Sequence, residues 1–517
     1  MNFLAAAIES PSIEYGVLAP LLIVIAGAII GVIIEAVAPR ESRHSSQVAI
    51  SLASLILALI VLIANGEAVG RVAMLSVVID GPTVILQATI LIFSILGILL
   101  IAERSLDESG QGAFAAQASA TPGTPAERTA TVAGLTQTEV FPLTLISVSG
   151  MLLFPASADL LTLFVALEVL SLPLYLMSGM ARRRRLLSQE AAVKYFLLGA
   201  FASAFFLFGS AFLYGYAADL SLAAIRFASE TGAGNDAFLL IGIALVSVGL
   251  LFKVGAAPFQ AWTPDVYQGA PTPVTAFMAS VTKVAAFGAM LRLFYVAFGS
   301  VRWDWRPMLI TISLVTMVVG ALFALTQTDV KRMLAYSSVA HAGYLLVGVV
   351  AVNQAGLHAT LFYLLAYGFT AIATFAIITL VRDSTGEATH LSQWAGLGKR
   401  SPLVATVFGF MLLALAGIPL TSGFTAKFLI FSAAYEGDAL ILVIAGVLTS
   451  AIAAFFYVRI IVLMFFNEPA ADGPTVAIPS SLTTIAITIS AIATLVLGIF
   501  PQPFIDLVRN AGTFLIG

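Results

Sequence analysis

Cysteine is absent from this 517-residue chain. That absence excludes disulfides, thiolate metal sites and cysteine-ligated iron–sulfur clusters. Charge is also scarce: Asp, Glu, Lys and Arg make up 10% of the residues, against about 25% in a soluble domain. With 60% of residues apolar, this scarcity excludes a soluble enzyme and a disordered chain. The net charge of −3 leaves no basic face for an anionic partner, which excludes nucleic acid. The four histidines, His44, His341, His358 and His390, are too widely spaced for a linear metal motif. No dinucleotide-binding, phosphate-loop or His-Glu-x-x-His string stands in a recognisable context. Residues 1–10 contain no positive run, so the first apolar stretch is expected to persist as a helix rather than be cleaved. A transmembrane barrel is excluded because its strands alternate polar and apolar residues.

What the chain has is long apolar runs. A helical span needs about 20 such residues, and the runs predict an all-α, polytopic membrane protein of fourteen spans: 17–37, 48–64, 83–102, 140–156, 158–179, 190–215, 237–258, 271–298, 307–326, 331–351, 356–381, 402–433, 439–466 and 480–507. Residues 103–138 form the only long polar insertion and read as a mobile loop. Lys and Arg are biased, with thirteen in the connections from odd to even spans and five on the other side. By the positive-inside rule this places the odd-to-even loops in the cytoplasm and both termini outside. Arg182, Arg183, Arg184 and Arg185 read as a topology anchor at the interface.

Helix breakers puncture two spans. Gly255-Ala-Ala-Pro258 interrupts the seventh and Gly417-Ile-Pro419 the twelfth, with the prolines 161 residues apart. Paired broken helices point to transporters built from inverted repeats. The expected organisation is three N-terminal spans (1–103), a flexible loop (104–139), two inverted five-helix units (140–298 and 299–467) and a last span (468–517).

Six lysines occur in the chain, and Lys194, Lys253, Lys283 and Lys427 fall within spans. An intramembrane charge costs about 2.5–3.5 kcal/mol on insertion scales, so it marks a functional position. Lysine is informative because, unlike arginine, it releases its proton when buried. Glu168 lies in an equally apolar run and is the expected partner of Lys253, with Lys194 relaying to Glu168 or competing for it. His341 and His358 are further titratable groups within spans, and hydroxyls of Thr282, Ser337, Ser338, Thr421, Ser422 and Thr425 stand beside these residues.

The run Lys253-Val-Gly-Ala-Ala-Pro-Phe-Gln-Ala-Trp-Thr-Pro-Asp-Val-Tyr-Gln-Gly closely resembles the antiporter-like subunits of respiratory complex I, the proton-pumping NADH-quinone oxidoreductase. The stretches 167–175, 332–344 and 416–428 agree with it, and the resemblance covers about 140–470. It implies the fourteen-helix fold and a proton path through Glu168, Lys194, Lys253, Lys283 and Lys427, with His341 and His358 near the midplane. Lysine at 427, where M-type members carry an acid, favours the N type. The resemblance also implies that this chain binds no cofactor. NAD, FMN, iron–sulfur clusters and quinone would belong to partner subunits, both membrane and peripheral, in a bacterial plasma membrane. The alternative is a subunit of a multi-subunit Na⁺/H⁺ antiporter of the same fold. A stand-alone solute carrier is disfavoured because no span carries the aromatic and amide cluster an organic substrate would need.

Overall fold

The computed structural model describes residues 13–66, 70–72, 76–106, 110–232, 234–383, 386–469 and 473–515. The expectation for residues 1–10 lies outside them. Among the described residues, twelve helices are long and apolar enough to cross a membrane: Tyr15–Val37, Arg40–Ala64, Gly81–Ile101, Leu160–Ser178, Arg185–Ala217, Asp236–Gly269, Thr272–Ala297, Arg302–Leu325, Val330–Ala351, Gln354–Leu380, Leu440–Phe466 and Ser481–Ile499. Two further crossings complete the bundle: Val140–Ala156, and Pro402–Ala416 continued after a break by Ser422–Glu436. Numbered in chain order, these are spans 1 to 14, and each matches one apolar run of the sequence.

Packing sorts the spans. The most apolar stretch of span 8 is 100% buried, and those of spans 10 and 11 are 94% buried, against 33% for spans 1, 2 and 13. Spans 8, 10 and 11 are therefore the axis of the bundle, and the outer helices turn Ile, Leu, Val and Phe towards lipid. Of the four lysines read within spans, Lys253, Lys283 and Lys427 are buried.

Loop contacts establish the alternation of the spans. At one end, Thr138 donates to Glu35 (2.6 Å) and Ala115 N–H donates to Met180 (2.9 Å). There too Arg184 Nη1 donates to Thr389 (2.9 Å), and Ser480 Oγ donates to Glu103 (2.6 Å). Strand Val381–Asp383 pairs with both Gly386–Glu387 and Thr475–Val476 at this end. These contacts link the loops that follow spans 1, 3, 5, 11 and 13. At the opposite end Leu160 N–H donates to Leu220 (3.0 Å), Tyr295 OH to Asn353 (3.3 Å) and Arg306 Nε to Val350 (3.0 Å). All odd-to-even connections that make such contacts share one face, as fourteen crossings require.

The stretch read as a mobile loop is pinned to the bundle. It holds a helix, Pro125–Val132, introduced by proline at its first turn. Arg185 fastens it by donating Nη2 to the carbonyls of Ala118 and Ala120 (both 3.0 Å) and pairing with Glu127 (3.3 Å). The arginine run 182–185 is thus a clamp between loops as well as an interfacial anchor. Burial pushes the Glu103 carboxyl up, but hydrogen bonds from Ser480 and Ser105 outweigh it and hold the group below its ordinary range. The sequence also did not announce the short helices Leu222–Thr231 and Gln502–Asn510, or the hairpin of Gly70–Val72 with Val77–Ile79. These elements are too short for hydrophobic period to define.

A buried ion pair locks the end away from the clamp. Arg292 and Asp80 are each 1% exposed and lie 2.8 Å apart. Arg292 Nε also donates to Pro155 (2.6 Å) and its Nη2 to Thr83 (2.6 Å), while Asp80 accepts from the Leu515 amide (3.0 Å). Asp80 caps span 3, accepting from Thr83 N–H (3.1 Å). Asp80→Ala leaves the guanidinium uncompensated and is expected to cost about 3–5 kcal/mol. The melting midpoint of the solubilised assembly should fall steeply. The double change Asp80→Leu with Arg292→Met should lose less than Asp80→Ala alone; an equal or greater loss would contradict the pairing.

Candidate functional site

The site begins at the two breaks. In span 7 the helix closes at Gly255 (φ 76°) and resumes at Trp262–Gly269. In span 12 it closes at Gly417 (φ 84°) and resumes at Ser422–Glu436. These left-handed conformations suit glycine. The last carbonyls of a helix have no intrahelical donor and carry the negative end of its dipole. Inside a membrane such carbonyls need a partner, and at both breaks a lysine supplies it. Lys283 Nζ donates to Val254 O (3.3 Å), and Lys427 Nζ donates to Ala416 O (2.8 Å) and Leu415 O (3.2 Å). A Cβ at Gly417 would stand 2.8 Å from Lys427 Cδ, so glycine there also makes room for the lysine.

Four titratable side chains line up from one break to the other. Lys253, two residues before the first break, donates to Ser171 Oγ (2.7 Å) and Tyr195 OH (3.3 Å). Lys283 bridges Val254 to the Ser338 carbonyl (2.7 Å), and its ammonium lies 5.8 Å from the centre of the Tyr367 ring. His341 follows Ser338 by one turn, packs 4.8 Å from the same Tyr367 ring, and shares a hydrogen bond between Nδ1 and Tyr363 OH (2.8 Å). Lys427 lies 5.0 Å over Tyr344, which meets His341 edge-on, and donates to Ser450 Oγ (2.7 Å). All four residues are buried. Lys283 directly follows a π-helical stretch, Met278–Thr282, a distortion that frequently accompanies functional sites.

Glu168 lies at the outer end of this file but does not bond Lys253. Ser171, one turn along the same helix from Glu168, accepts from Lys253 and donates to the Leu167 carbonyl. The Glu168 Oε1 is buried with no hydrogen-bond partner among the described residues. A buried carboxylate oxygen in this condition calls for a donor from water or from a side chain that moves.

Two expected members stand outside the file. Lys194 has a 41% exposed side chain and pairs with Glu190 (2.6 Å) and Asp265 (2.7 Å), which also binds Arg332 (2.6 Å). The cause is helical phase. Adjacent residues differ by about 100°, and Tyr195 takes the inward direction, stacked on Trp262 at 4.5 Å. His358 sits at the start of span 11 and bonds the Gly512 carbonyl (3.0 Å) through Nε2, away from the midplane. Among the hydroxyls, Ser337 bonds Tyr457 OH and Thr282 bonds back to Met278 (2.5 Å), so neither bridges the lysines. Sequence reasoning missed Ser171, Tyr195, Tyr363 and Ser450. Ser171 was findable one turn from Glu168; the others needed the fold.

It also missed Lys331. This side chain is buried and donates to the Ala270 carbonyl (3.1 Å) and Thr272 Oγ1 (2.9 Å), with Glu387 at 3.6 Å. Thr272 donates to Glu387 as well (2.5 Å). The group borders a cavity of about 80 Å³ at the arginine-rich end, between spans 8 and 10.

Residues 157–453, more than half the chain, match the family model described as NADH:quinone oxidoreductase/Mrp antiporter, TM. The NADH-quinone oxidoreductase subunit N of Rhodococcus opacus is 59% identical over 99% of this chain and 98% of that protein. Subunit N of Acidothermus cellulolyticus is 56% identical over the whole of both chains. Among solved structures, a chain of respiratory complex I from Thermus thermophilus superposes with a TM-score of 0.77 at 30% identity, covering 94% of this chain and 98% of that one. A chain of the Mrp complex from Dietzia superposes at 0.80 with 23% identity over 95% and 96%, a likeness of fold. On these relatives, the chain belongs to the subunit N family of NADH-quinone oxidoreductase.

Proposed function

We propose that this chain is a proton-conducting membrane subunit of a bacterial NADH-quinone oxidoreductase. The observation that carries the reading is the buried row of Lys253, Lys283, His341 and Lys427 beside both broken helices. Hydroxyls and imidazole both donate and accept, so they can pass a proton between ammonium groups. Glu168 tunes Lys253 through Ser171. Electrons from NADH to quinone travel in partner subunits, and the charge rearrangement they cause reaches this chain at Glu168. Lys194 takes part as a structural cation on the Asp265 pair, and His358 as an anchor for the C-terminal segment. No lysine file of this kind is needed to bind an organic solute, which sets the carrier reading aside. The antiporter alternative is weakened by the 52–59% identity to subunit N relatives.

Purification of the assembly in mild detergent tests the reading. Iron–sulfur subunits are expected to co-migrate with the chain. Recovery with only other antiporter-like chains would replace it with the antiporter reading.

Sidedness is a second expected outcome. The Lys/Arg bias places the clamp end in the cytoplasm, and the cysteine-free sequence gives a clean labelling background. Thr121→Cys should react with an impermeant thiol reagent only from the cytoplasmic side, and Thr231→Cys only from the outside. The reverse pattern would invert the topology.

A further inference from the structure

Lys331 is buried at the clamp end, outside the row of Lys253, Lys283, His341 and Lys427. It lines the cavity of about 80 Å³ there. About 10–15 Å³ of such space holds one water, so the cavity has room for several. Resting on the proton-conducting reading, we propose that protons enter the chain at this cavity and that Lys331 loads them, passing them along the seam between spans 8 and 10 to Lys283.

Three observations carry this assignment. The first is the cavity wall. Glu103, Glu387 and Gln268 line it, and so does Thr483, whose Oγ1 is buried with no hydrogen-bond partner among the described residues. A buried hydroxyl in that condition calls for water. The second is the bonding of Lys331. Its Nζ donates to Thr272 Oγ1 (2.9 Å), and the Thr272 hydroxyl donates to Glu387 (2.5 Å). Ammonium, hydroxyl and carboxylate thus stand in one hydrogen-bonded chain at the cavity edge, where each can exchange a proton with water. The third is register. Lys331 and Ser338 are seven residues apart on span 10, two helical turns, so they share a face. Lys331 crosses from that face to Thr272 at the start of span 8, and Lys283 of span 8 crosses back to the Ser338 carbonyl (2.7 Å). The stretch between the two crossings is about 10 Å long at 1.5 Å per residue. Two or three waters cover it at about 3 Å per hydrogen bond. Ser338 Oγ, 1% exposed and without a partner among the described residues, waits at its inner end. A proton from cavity water joins the neutral amine of Lys331. The ammonium then gives a proton to the first water of the seam, and the last water gives one to the neutral amine of Lys283.

The test measures proton uptake and quinone reductase turnover of the intact assembly in vesicles, together with its melting midpoint. Lys331→Arg keeps a charge and donors for Ala270 and Thr272 but does not release its proton, so uptake should fall about tenfold while the midpoint holds. A lysine that only braces the loops would be replaced by arginine without loss. Ser338→Ala removes a hydroxyl that bonds nothing in the protein, so the midpoint should stay or rise, yet uptake should fall severalfold. Ser490→Ala is the reference: its Oγ is equally buried and unpartnered among the described residues but lies on span 14, off the seam, and both uptake and midpoint should be unchanged. Full uptake by Lys331→Arg would overturn the loading role. Where Lys331→Arg does not assemble, Ser338→Ala decides, and uptake equal to that of Ser490→Ala would overturn the path. Lys427→Ala in the same vesicles separates the two levels. If it pumps fully, the conducting reading itself fails; if it does not while the Lys331 and Ser338 variants do, only the entry site is wrong.

Discussion

Lys427→Ala is expected to cut NADH-driven proton uptake at least about tenfold, while Lys427→Arg should fail almost as badly for a different reason. The ammonium of Lys427 does two things. It satisfies the Leu415 and Ala416 carbonyls at the break in span 12, and it offers an exchangeable proton between Tyr344 and Ser450. Alanine removes both, taking the ammonium from the Leu415 carbonyl and leaving Ala416 only the long bond from Ser450 (3.4 Å), at about 1–3 kcal/mol for a buried carbonyl without a donor unless water enters. Guanidinium has five donors and can keep those carbonyls bonded, yet it does not give up its proton. The two variants should therefore differ in the melting midpoint of the assembly, lower for alanine and near wild type for arginine, and agree in poor pumping. The measurement pairs acidification of inverted membrane vesicles during NADH oxidation with thermal unfolding of the purified assembly. Full pumping by Lys427→Arg would reduce Lys427 to a fixed charge bracing the helix end.

Glu168→Gln and Lys253→Ala should each lower quinone reductase turnover and proton uptake together, by about tenfold, a loss of ~1.4 kcal/mol in the transition state. The structure adds Ser171 to the pair, so Ser171→Ala should reduce turnover as well, by removing the acceptor that holds Lys253 Nζ at 2.7 Å. Residues acting as a unit do not sum their losses. The double variant Glu168→Gln with Lys253→Ala should accordingly be no worse than the worse single one. Turnover and vesicle acidification measured on the two singles, the serine variant and the double decide it. Losses that multiply in the double would show two independent sites.

The spans were readable because an apolar run has to be about as long as the bilayer is thick, which leaves only the ends to be settled by packing. Span 2 shows this: the apolar run starts near residue 48, yet the helix begins at Arg40, where Arg43 binds Glu35 (3.1 Å) and Gln47 binds the Gly31 carbonyl (2.8 Å). Composition cannot see such polar turns. Lys253, Lys283 and Lys427 were legible because charge inside an apolar run has one economical explanation. Lys194 misled for the same reason, since an apolar run gives no phase and only Tyr195, stacked on Trp262, shows which way the helix faces. Nor could the sequence reveal that Asp80 meets Arg292, or Lys331 meets Thr272, because those partners lie far apart along the chain.

The clasps at both ends of the bundle constrain how it can move. On the reading of residues 140–298 and 299–467 as two five-helix units, the units are joined at one end by Arg184 to Thr389, Thr272 to Glu387 and Lys331 to the Ala270 carbonyl, and at the other by Tyr295 to the carbonyls of Gly348 and Asn353. Between them, the Ala257 amide donates to Thr316 (3.0 Å). Rocking one half against the other, as alternating-access carriers do, would break these six bonds at once, roughly 3–9 kcal/mol at ordinary hydrogen-bond values. A frame this stiff exposes no binding site first to one side and then to the other. Charge must cross it by rotamer changes, small shifts of the broken helix ends and rearranged water, displacements that a proton can use and a hydrated ion or solute cannot.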